Sequence, residues 1–394
     1  MIYLDVTSAA ASPVNMGVQR TVRGIYSHLR PRVALTPLSW DFAQRRYATL
    51  SPREQGFLEA PFAAYEESSG TPGRWDWKHW RDSWRDHVSR RERGLPMDTV
   101  LGAGHTLLIP DLCWDKRIHA WKKMAGYPGR KIALLHDAMP LRIPGQADSN
   151  DKLFVHYLRE LARLDLIICV SHEVEADLLR YWSDFGVEPK PIRVLPWPVP
   201  FESARPQNAP RQEARKILYV ARLKLRKNHL VLLAACEKLW QDGRVFTLDL
   251  IGIEDAFSDT VKILREVRRL AKQGRPVFWH KHISDAKLAD AYRDCSFTAF
   301  PSRLEGFGLP IIESLWHGRP VVCGRNGAIG EVARGGGCLQ IEDQNNPVEL
   351  AAALDLLLHD PALYRDLCEQ ATRRTFRSWD DYGRELDAAL APEP

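Results

Sequence analysis

The chain has 394 residues, of which 45% are hydrophobic and 27% are charged, so it can bury substantial cores and is not an intrinsically disordered protein. Ordinary domain sizes favour two domains over one. The 55 Lys and Arg residues exceed the 50 Asp and Glu residues by five. This excess suits anionic ligands or an anionic membrane surface but is too small to indicate nucleic acid, and we predict no nucleic-acid partner.

Seven cysteines lie far apart in the chain, and the first ten residues, MIYLDVTSAA, lack the charged region and long apolar core of a secretory signal. We therefore interpret the cysteines as reduced thiols and predict a cytoplasmic protein, at most at the inner face of the cell membrane. No stretch reaches the roughly 18 apolar residues that a spanning helix requires. Any membrane contact is expected to be peripheral.

The first half of the chain alternates short β-type runs with helical patterns. The β-type runs are IYLDV, HTLLIP, KIALLHD, LDLIICVS and PIRVLPWPV, and the helical patterns include TVRGIYSHL and EVEADLLRYW. This alternation predicts a parallel sheet covered by helices, in a domain of residues 1–200. The polar segment FESARPQNAPRQEAR, which contains two prolines, then marks a domain boundary.

A second alternation follows and predicts a second domain, residues 201–375. Its strands are KILYVA, FTLDLIG, VFWH, SFTAFPS and RPVVCG, separated by helices such as NHLVLLAACEKLW and SDTVKILREVRRLAKQG. The predicted fold class is α/β, with two Rossmann-like doubly wound domains in tandem. The closing residues 376–394 are helical in pattern and either pack on their own domain or return to the first.

The pattern is least clear between about Trp40 and Gly104. Within it, RWDWKHWRDSWRDHVSRRERG places three tryptophans on one helical face, accompanied by many Arg and Lys residues. A helix at a lipid interface has this pattern, so residues 75–93 are a candidate for peripheral membrane contact. Interspersed acids favour the alternative, a helix that buries its tryptophans against the domain. The tryptophans are Trp77, Trp80 and Trp84.

A glycine-rich loop lies between strand SFTAFPS and a helix predicted to begin at Pro310. Gly306 and Gly308 let backbone N–H groups approach a ligand, and the helix N-terminus adds positive potential for phosphate or hydroxyl groups. Glu305 lies on the loop and Glu313 on the first turn of the helix, at the carboxyl ends of parallel strands, where open α/β sheets bind ligands. Two carboxylates there are able to bind the hydroxyl groups of two sugars.

The string PSRLEGFGLPIIESLWHGRPVV resembles the motif of family-4 retaining glycosyltransferases, in which seven residues with a glycine-rich turn separate two glutamates. The resemblance implies that Glu305 contacts the transferred sugar and that Glu313 contacts the ribose of the nucleotide. It also implies the GT-B arrangement, in which two Rossmann-like domains face an interdomain cleft and the second holds most of the donor. The further donor-binding residues it implies are Gly306, Phe307, Gly308 and Leu309.

Two cations lie in KILYVARLKLRKNHLVLLAA, where Arg222 ends a predicted strand and Lys227 begins the next predicted helix. Both can reach one anion, and fixed cations that meet the charge of a departing diphosphate lower the barrier without a metal. The segment is similar to the Arg and Lys stretch of the same family. We expect no metal and no other cofactor, because the chain has no Asp-x-Asp and no cluster with metal-ligand spacing.

Three further segments resemble the family. KIALLHDAMPLRIPG ends a strand with His136, which by the resemblance lies near the donor sugar; a core histidine is the alternative. ASPVNMGVQRTVRGIYSHL places Gly17 where the family has a glycine loop that closes over the diphosphate. HKHISDAKLADAYRDC resembles the nucleotide-flanking segment, with His282 and Ile283 as backbone contacts.

The resemblance predicts a retaining, metal-independent hexosyltransferase that uses a nucleotide-sugar donor and a glycan or lipid-linked acceptor. HDAMPLRIPGQ and the glutamate motif look most like bacterial mannosyl- and rhamnosyltransferases of surface polysaccharide assembly. GDP-mannose is therefore the first donor expected, with UDP-hexoses next. The alternatives are a non-catalytic sugar-nucleotide-binding protein and a nucleotide-sugar epimerase of GT-B fold.

Overall fold

A computed structural model of the chain divides into two compact units, Met1–Pro196 with Trp379–Pro394, and Trp197–Ser378. The sequence analysis placed these boundaries at residues 200 and 375. Most of the Trp-rich segment 75–93 lies outside the described residues, so its membrane contact stays a prediction. The structure describes residues 1–12, 17–59, 92–113, 115–142, 149–200, 205–207, 209, 211–254, 258–281 and 283–391.

The first unit is built on one twisted sheet with helices packed on it. Its strands are β1 (Ile2–Asp5), β2 (Leu35–Asp41), β3 (Arg46–Thr49), β4 (Thr106–Ile109), β5 (Arg130–Leu135), β6 (Leu166–Cys169) and β7 (Ile192–Val194). The sheet order is β3-β2-β1-β4-β5-β6-β7, and all neighbours are parallel except β2 and β3. Its helices are α1 (Thr7–Ala11), α2 (Gly17–Leu29), α3 (Pro52–Glu59), α4 (Met97–Val100), α5 (Ile118–Met124), α6 (Ser149–Leu161) and α7 (His172–Asp184).

The second unit has a six-stranded sheet in which all neighbours are parallel. Its strands are β8 (Lys216–Val220), β9 (Thr247–Ile251), β10 (Val277–His280), β11 (Phe297–Phe300), β12 (Val321–Gly324) and β13 (Cys338–Ile341). The order is β10-β9-β8-β11-β12-β13. Its helices are α8 (His229–Gln241), α9 (Ser258–Lys272), α10 (Asp285–Asp294), α11 (Leu309–Trp316), α12 (Gly327–Ala333), α13 (Pro347–His359) and α14 (Pro361–Arg373), and α15 (Trp379–Leu390) belongs to the first unit.

The burial of the central strands explains these sheets. β6 and β11 are buried at every position, as expected of parallel strands covered by helices on both faces. Strand order reverses between β1 and β4 in the first unit and between β8 and β11 in the second. Each reversal leaves a crevice at the carboxyl ends of the strands, the usual ligand site of such sheets.

The predicted α/β fold with two doubly wound sheets is confirmed, but three strands were missed. β2 and β3 form an antiparallel pair inside the segment without clear alternation, and β13 is short and half-exposed. Two local predictions were also wrong. Lys227 ends a 3-10 turn, Leu225–Lys227, instead of starting a helix, and α11 begins at Leu309, which places Glu313 on its second turn. In the described part of the chain, no helix has the length and apolar character needed to cross a membrane.

Candidate active site

A shallow depression, called the cavity below, lies at the carboxyl ends of β8 and β11 in the second unit, and it encloses no space large enough for a water molecule. These two strands are neighbours at the point where strand order reverses, so the cavity occupies the expected ligand crevice of the sheet. The predicted glutamate motif begins directly after β11. The cavity is lined by Val220, Tyr292, Thr298, Ala299, Phe300 and Pro310.

Glu305 is the centre of a buried ion cluster next to this cavity. Lys227 Nζ donates to Glu305 Oε1 at 2.5 Å, and Arg226 Nη1 donates to Oε2 at 3.3 Å. The Ser302 hydroxyl also donates to Oε1. The side chains of Glu305 and Lys227 are only 10% and 12% exposed. Lys227 Nζ lies 5.6 Å from the ring centroid of Phe300, which lines the cavity.

The charges of this cluster keep Glu305 ionised. Burial alone raises the pKa of its carboxyl group, but the positive charges of Lys227 and Arg226 outweigh burial and hold that pKa below its ordinary value. Burial lowers the pKa of the Lys227 ammonium, and the Glu305 carboxylate opposes this shift. Two cations and one carboxylate leave the cluster with one net positive charge, which suits an anionic ligand.

Arg222 lies outside this cluster. Its backbone oxygen accepts from Lys224 N at 2.9 Å, but its side chain is exposed and makes no hydrogen bond or ion pair with the described residues. The structure pairs Lys227 with Glu305 and leaves the Arg222 side chain apart from that carboxylate, so their shared contact with a diphosphate stays a prediction. The exposed Arg222 guanidinium is left available to a ligand.

Arg226 is a second cation bonded to Glu305, and the sequence analysis did not single it out. Its guanidinium also donates to the Leu304 carbonyl at 3.1 Å, and its own carbonyl accepts from Arg303 N at 2.9 Å. Arg226 and Lys227 both reach Glu305 because they belong to the same 3-10 turn. Two adjacent cations before a helix were the only signal in the sequence, and they do not reveal a shared carboxylate.

Glu313 is buried on α11 and accepts a 2.7 Å hydrogen bond from the Tyr292 hydroxyl at Oε2. The Tyr292 carbonyl in turn accepts from Arg319 Nε at 3.2 Å, and its ring stacks on His317 with centroids 5.5 Å apart. Tyr292 also lines the cavity. Tyr292 and Arg319 thus position Glu313, and neither was singled out from the sequence.

The glycine-rich loop requires glycine at Gly308. This residue has φ of 116°, in the left-handed region, and a Cβ atom there would lie 3.4 Å from Ile311 Cδ1. Gly308 directly precedes Leu309, the first residue of α11, while Gly306 and Phe307 are buried beside it. The loop therefore places the α11 N-terminus at the same edge of the sheet as Glu305.

Of the two residues predicted to flank the nucleotide, His282 and Ile283, the structure describes only Ile283. His282 lies outside the described residues. Ile283 packs against the apolar cluster of Leu218, Ile251, Tyr292 and Cys295, and so borders the residue that bonds Glu313. The contact of either residue with a nucleotide base stays a prediction.

The first unit holds the other two predicted residues. His136 directly follows β5 and is buried, and its Nε2 lies 2.6 Å from the Pro110 carbonyl oxygen. Burial lowers the pKa of His136, which favours a neutral imidazole. Gly17 is the exposed first residue of α2, and a Cβ atom there would meet nothing within 4 Å. Residues 13–16, the rest of its proposed loop, lie outside the described residues.

A buried ion network at the strand-order reversal of the first unit was also missed. Asp5 ends β1, Asp111 follows β4, and Arg117 Nη1 and Nη2 donate to these two carboxylates at 3.1 and 3.0 Å. All three side chains are at most 3% exposed. The Tyr47 hydroxyl adds a 2.9 Å bond to Asp5. The His136 ring bonds the carbonyl of Pro110, the residue before Asp111. The network therefore positions the segment after β4 to which His136 is bonded.

Comparison with known proteins finds a family that is similar to the second unit. Residues 200–374 match the family described as Glycosyl transferases group 1. The match covers nearly the whole of the unit Trp197–Ser378, and it includes Arg222, Lys227, Glu305 and Glu313. The predicted resemblance to glycosyltransferases is thereby confirmed for this part of the chain.

Curated relatives agree with the family match. The serotype-specific mannosyltransferase WbdA of Escherichia coli is 30% identical over 207 residues, which are 48% of this chain and 25% of the relative. The MMP alpha-(1->4)-mannosyltransferase of Mycolicibacterium hassiacum is 28% identical over 240 residues, which are 60% of this chain and 56% of the relative. The chain thus spans between a quarter and about half of the length of these relatives.

Solved structures show the fold over nearly the whole chain. Sucrose-phosphate synthase of Thermosynechococcus elongatus matches with a TM-score of 0.66 and 18% identity, covering 98% of this chain and 97% of that one. HepE of Anabaena, in complex with UDP and glucose, matches with a TM-score of 0.62 and 15% identity, covering 99% and 98%. These likenesses confirm the two-domain GT-B fold.

A buried histidine behind the cluster gives a testable dependence of stability on pH. His229, the first residue of α8, is 1% exposed and packs on Tyr219 with ring centroids 4.8 Å apart. Burial, and next the charge of Lys227, lowers its pKa from 6.5 to about 3. Below pH 6.5 the unfolded chain takes up a proton that the folded chain does not, so stability falls as the pH falls towards 3.

We expect this one group to remove roughly 2–3 kcal/mol of unfolding free energy between pH 7 and about pH 4.5. His229→Phe keeps an aromatic ring against Tyr219 and should flatten the pH dependence of the urea unfolding midpoint over that range. His119→Phe, at an exposed histidine, is the matched control and should leave the dependence unchanged. Equal slopes for the unaltered protein and His229→Phe would contradict the prediction.

Proposed function

We propose that this chain is a retaining, metal-independent glycosyltransferase that moves a hexose from a nucleoside diphosphate sugar to a glycan or lipid-linked acceptor. The observation that carries the proposal is the Lys227–Glu305–Arg226 cluster beside the cavity at the strand-order reversal, inside the region that matches Glycosyl transferases group 1. Mannose is the first sugar we propose, because two relatives of this chain are named mannosyltransferases.

The electrostatics of the site support transfer from a diphosphate donor. Arg226 and Lys227 both pair with Glu305, and the Lys227 ammonium, which has three N–H donors, is able to donate a second hydrogen bond to a phosphate oxygen. Arg222, exposed and without a partner among the described residues, supplies a second cation. Two cations fixed where the diphosphate charge develops stabilise the leaving group in the place of a metal ion.

The proposed reaction needs no protein nucleophile. The bond between the anomeric carbon and the phosphate oxygen breaks, and the acceptor oxygen bonds to the same face of the sugar. The acceptor proton passes to the departing phosphate oxygen, so atoms and charge balance. Glu305 binds the transferred sugar and Glu313 binds the ribose hydroxyls, while the contact of His136 with the donor sugar stays a prediction.

A thermal-shift screen tests the donor site. At about 100 times its Kd, a nucleotide adds about 2.7 kcal/mol to the stability of the folded state, which raises the melting temperature of a chain of this length by roughly 3 °C. We expect GDP and GDP-mannose to give this rise, UDP-hexoses to be the next most effective, and EDTA not to reduce it. Inorganic phosphate is the control and should give a smaller rise.

Turnover separates an enzyme from a sugar-nucleotide-binding protein that lacks activity. Any donor that raises the melting temperature is incubated with the protein, and release of the free nucleoside diphosphate is measured. A glycosyltransferase hydrolyses its donor slowly even without an acceptor, whereas a binding protein releases none. No shift with any GDP or UDP compound would contradict the donor-site assignment.

A further inference from the structure

Helix α9 presents an unusual set of cations on the surface of the second unit. Val261, Arg265, Arg268 and Lys272 are spaced four, three and four residues apart, so they lie on one face of the helix, with Lys262 beside them. All five side chains are exposed. The stripe extends over about 16 Å, as 11 residues of helix rise by 1.5 Å each. We call these five residues the α9 stripe.

No acidic side chain of the described residues is paired with the four cations of the α9 stripe. Among the described residues, none of their side chains makes a hydrogen bond or an ion pair. The neighbouring acids Glu237 and Glu266 both accept from Arg269 at 2.6 Å, so this one cation balances one of their two negative charges. The stripe with its neighbours Glu237, Glu266 and Arg269 therefore carries three net positive charges in a chain whose net charge is +5.

Core packing does not explain this face. α9 buries its opposite face, where Ile263, Leu264, Val267 and Leu270 are at most 8% exposed. Ile263 and Leu264 pack with Leu223 in the core of the unit. The charged face could carry any mixture of polar residues without loss of packing. A row of cations without acids among them instead creates a positive electrostatic potential in the solvent next to the helix.

We infer that the α9 stripe docks the second unit on an anionic lipid surface. The cations match the negative charge of phospholipid headgroups, and Val261, 57% exposed at one end of the stripe, provides an aliphatic contact at the interface. The stripe contains no aromatic side chain on which nucleotide bases would stack, which disfavours single-stranded nucleic acid as the partner. This surface belongs to a different unit from the Trp-rich segment 75–93.

The association is expected to be weak and sensitive to salt. Each Lys or Arg near an anionic bilayer strengthens partitioning about fivefold, so neutralising three of them weakens it about 100-fold. Raising NaCl from about 0.05 M to about 0.5 M shortens the screening length to a few ångströms and should release the protein. The inference does not rest on the proposed function, since vesicle binding requires no sugar donor.

Co-sedimentation of the full chain with vesicles tests the inference. We expect binding to phosphatidylcholine vesicles that contain phosphatidylglycerol and none to phosphatidylcholine alone. The triple variant R265Q/R268Q/K272Q should bind the anionic vesicles about 100-fold more weakly. The matched control K116Q/K122Q/K123Q removes three exposed cations from the first unit and should bind as the unaltered protein does.

Three outcomes would overturn the inference. They are binding that does not depend on phosphatidylglycerol, equal losses in the two triple variants, and binding of a DNA or RNA duplex at the same salt as tightly as the vesicles. All substituted side chains are exposed, and urea unfolding checks that each variant folds. Should the triple variant be unstable, the salt release of the unaltered protein and its lipid preference still decide the question.

Discussion

Replacing Lys227 by methionine is expected to lower kcat for donor turnover by about 10²–10³. Its ammonium is 12% exposed and held at 2.5 Å from Glu305, beside the cavity where the diphosphate is proposed to bind. Removing one fixed charge that meets a developing anion costs this much in sites from which water is excluded. The rate of nucleoside diphosphate release from the sugar donor measures the effect.

The matched control for this prediction is Lys224→Met, which removes the same charge three residues earlier. It changes the field at Lys227 without touching Glu305, so we expect less than a tenfold loss of kcat. Arg226→Lys keeps a cation near the Glu305 carboxylate and should also retain most activity. If Lys224→Met were as inactive as Lys227→Met, the loss of kcat would come from the lower positive charge of the whole site and not from the position of the Lys227 ammonium.

Changing each of the two glutamates to glutamine should affect two different quantities, kcat for Glu305 and the nucleotide Kd for Glu313. Glu305→Gln removes the anion between two cations, and we expect kcat to fall about 100-fold while the Kd for the nucleoside diphosphate stays the same or decreases, because the site becomes more positive. Glu313→Gln removes a charged acceptor proposed for the ribose hydroxyls, and we expect the Kd to rise roughly 10-fold. Calorimetry measures Kd, and nucleotide release measures kcat.

Two further variants complete this comparison. Tyr292→Phe removes the hydroxyl that bonds Glu313 Oε2, and it should weaken nucleotide binding less than Glu313→Gln does. Glu342→Gln makes the same chemical change on the surface and should alter neither quantity. The reverse pattern, with Kd raised by Glu305→Gln and kcat lowered by Glu313→Gln alone, would overturn the proposed division of roles.

Local sequence signals predicted the parts of the fold that depend on neighbouring residues. The apolar runs of β4, β6 and β11 are buried on both faces, so a few consecutive apolar side chains are enough to predict that these segments are strands. The loop before α11 can be predicted in the same way, because the backbone at Gly308 has a positive φ and glycine adopts this conformation readily. β2 and β3 were missed because their pairing, not their own pattern, makes them strands.

The pairing of charged side chains could not be predicted in this way. Arg226 and Glu305 are 79 residues apart, and they meet only because β8 and β11 are neighbours in the sheet. The same holds for the bond between Tyr292 and Glu313 and for the Asp5–Arg117 pair, which joins residues 112 positions apart. The sequence analysis placed Arg222 and Lys227 at one diphosphate, and spacing along the chain does not report that Lys227 also pairs with Glu305.

By itself the sequence determined the two alternations of strand and helix, the glycine-rich loop and the carboxylates beside it, because each follows from a few consecutive residues. Only the tertiary structure decided that Arg226 shares Glu305 with Lys227, that Tyr292 holds Glu313, and that four cations of α9 face solvent together. Strand order and helix packing set these contacts, and both depend on residues far apart in the chain.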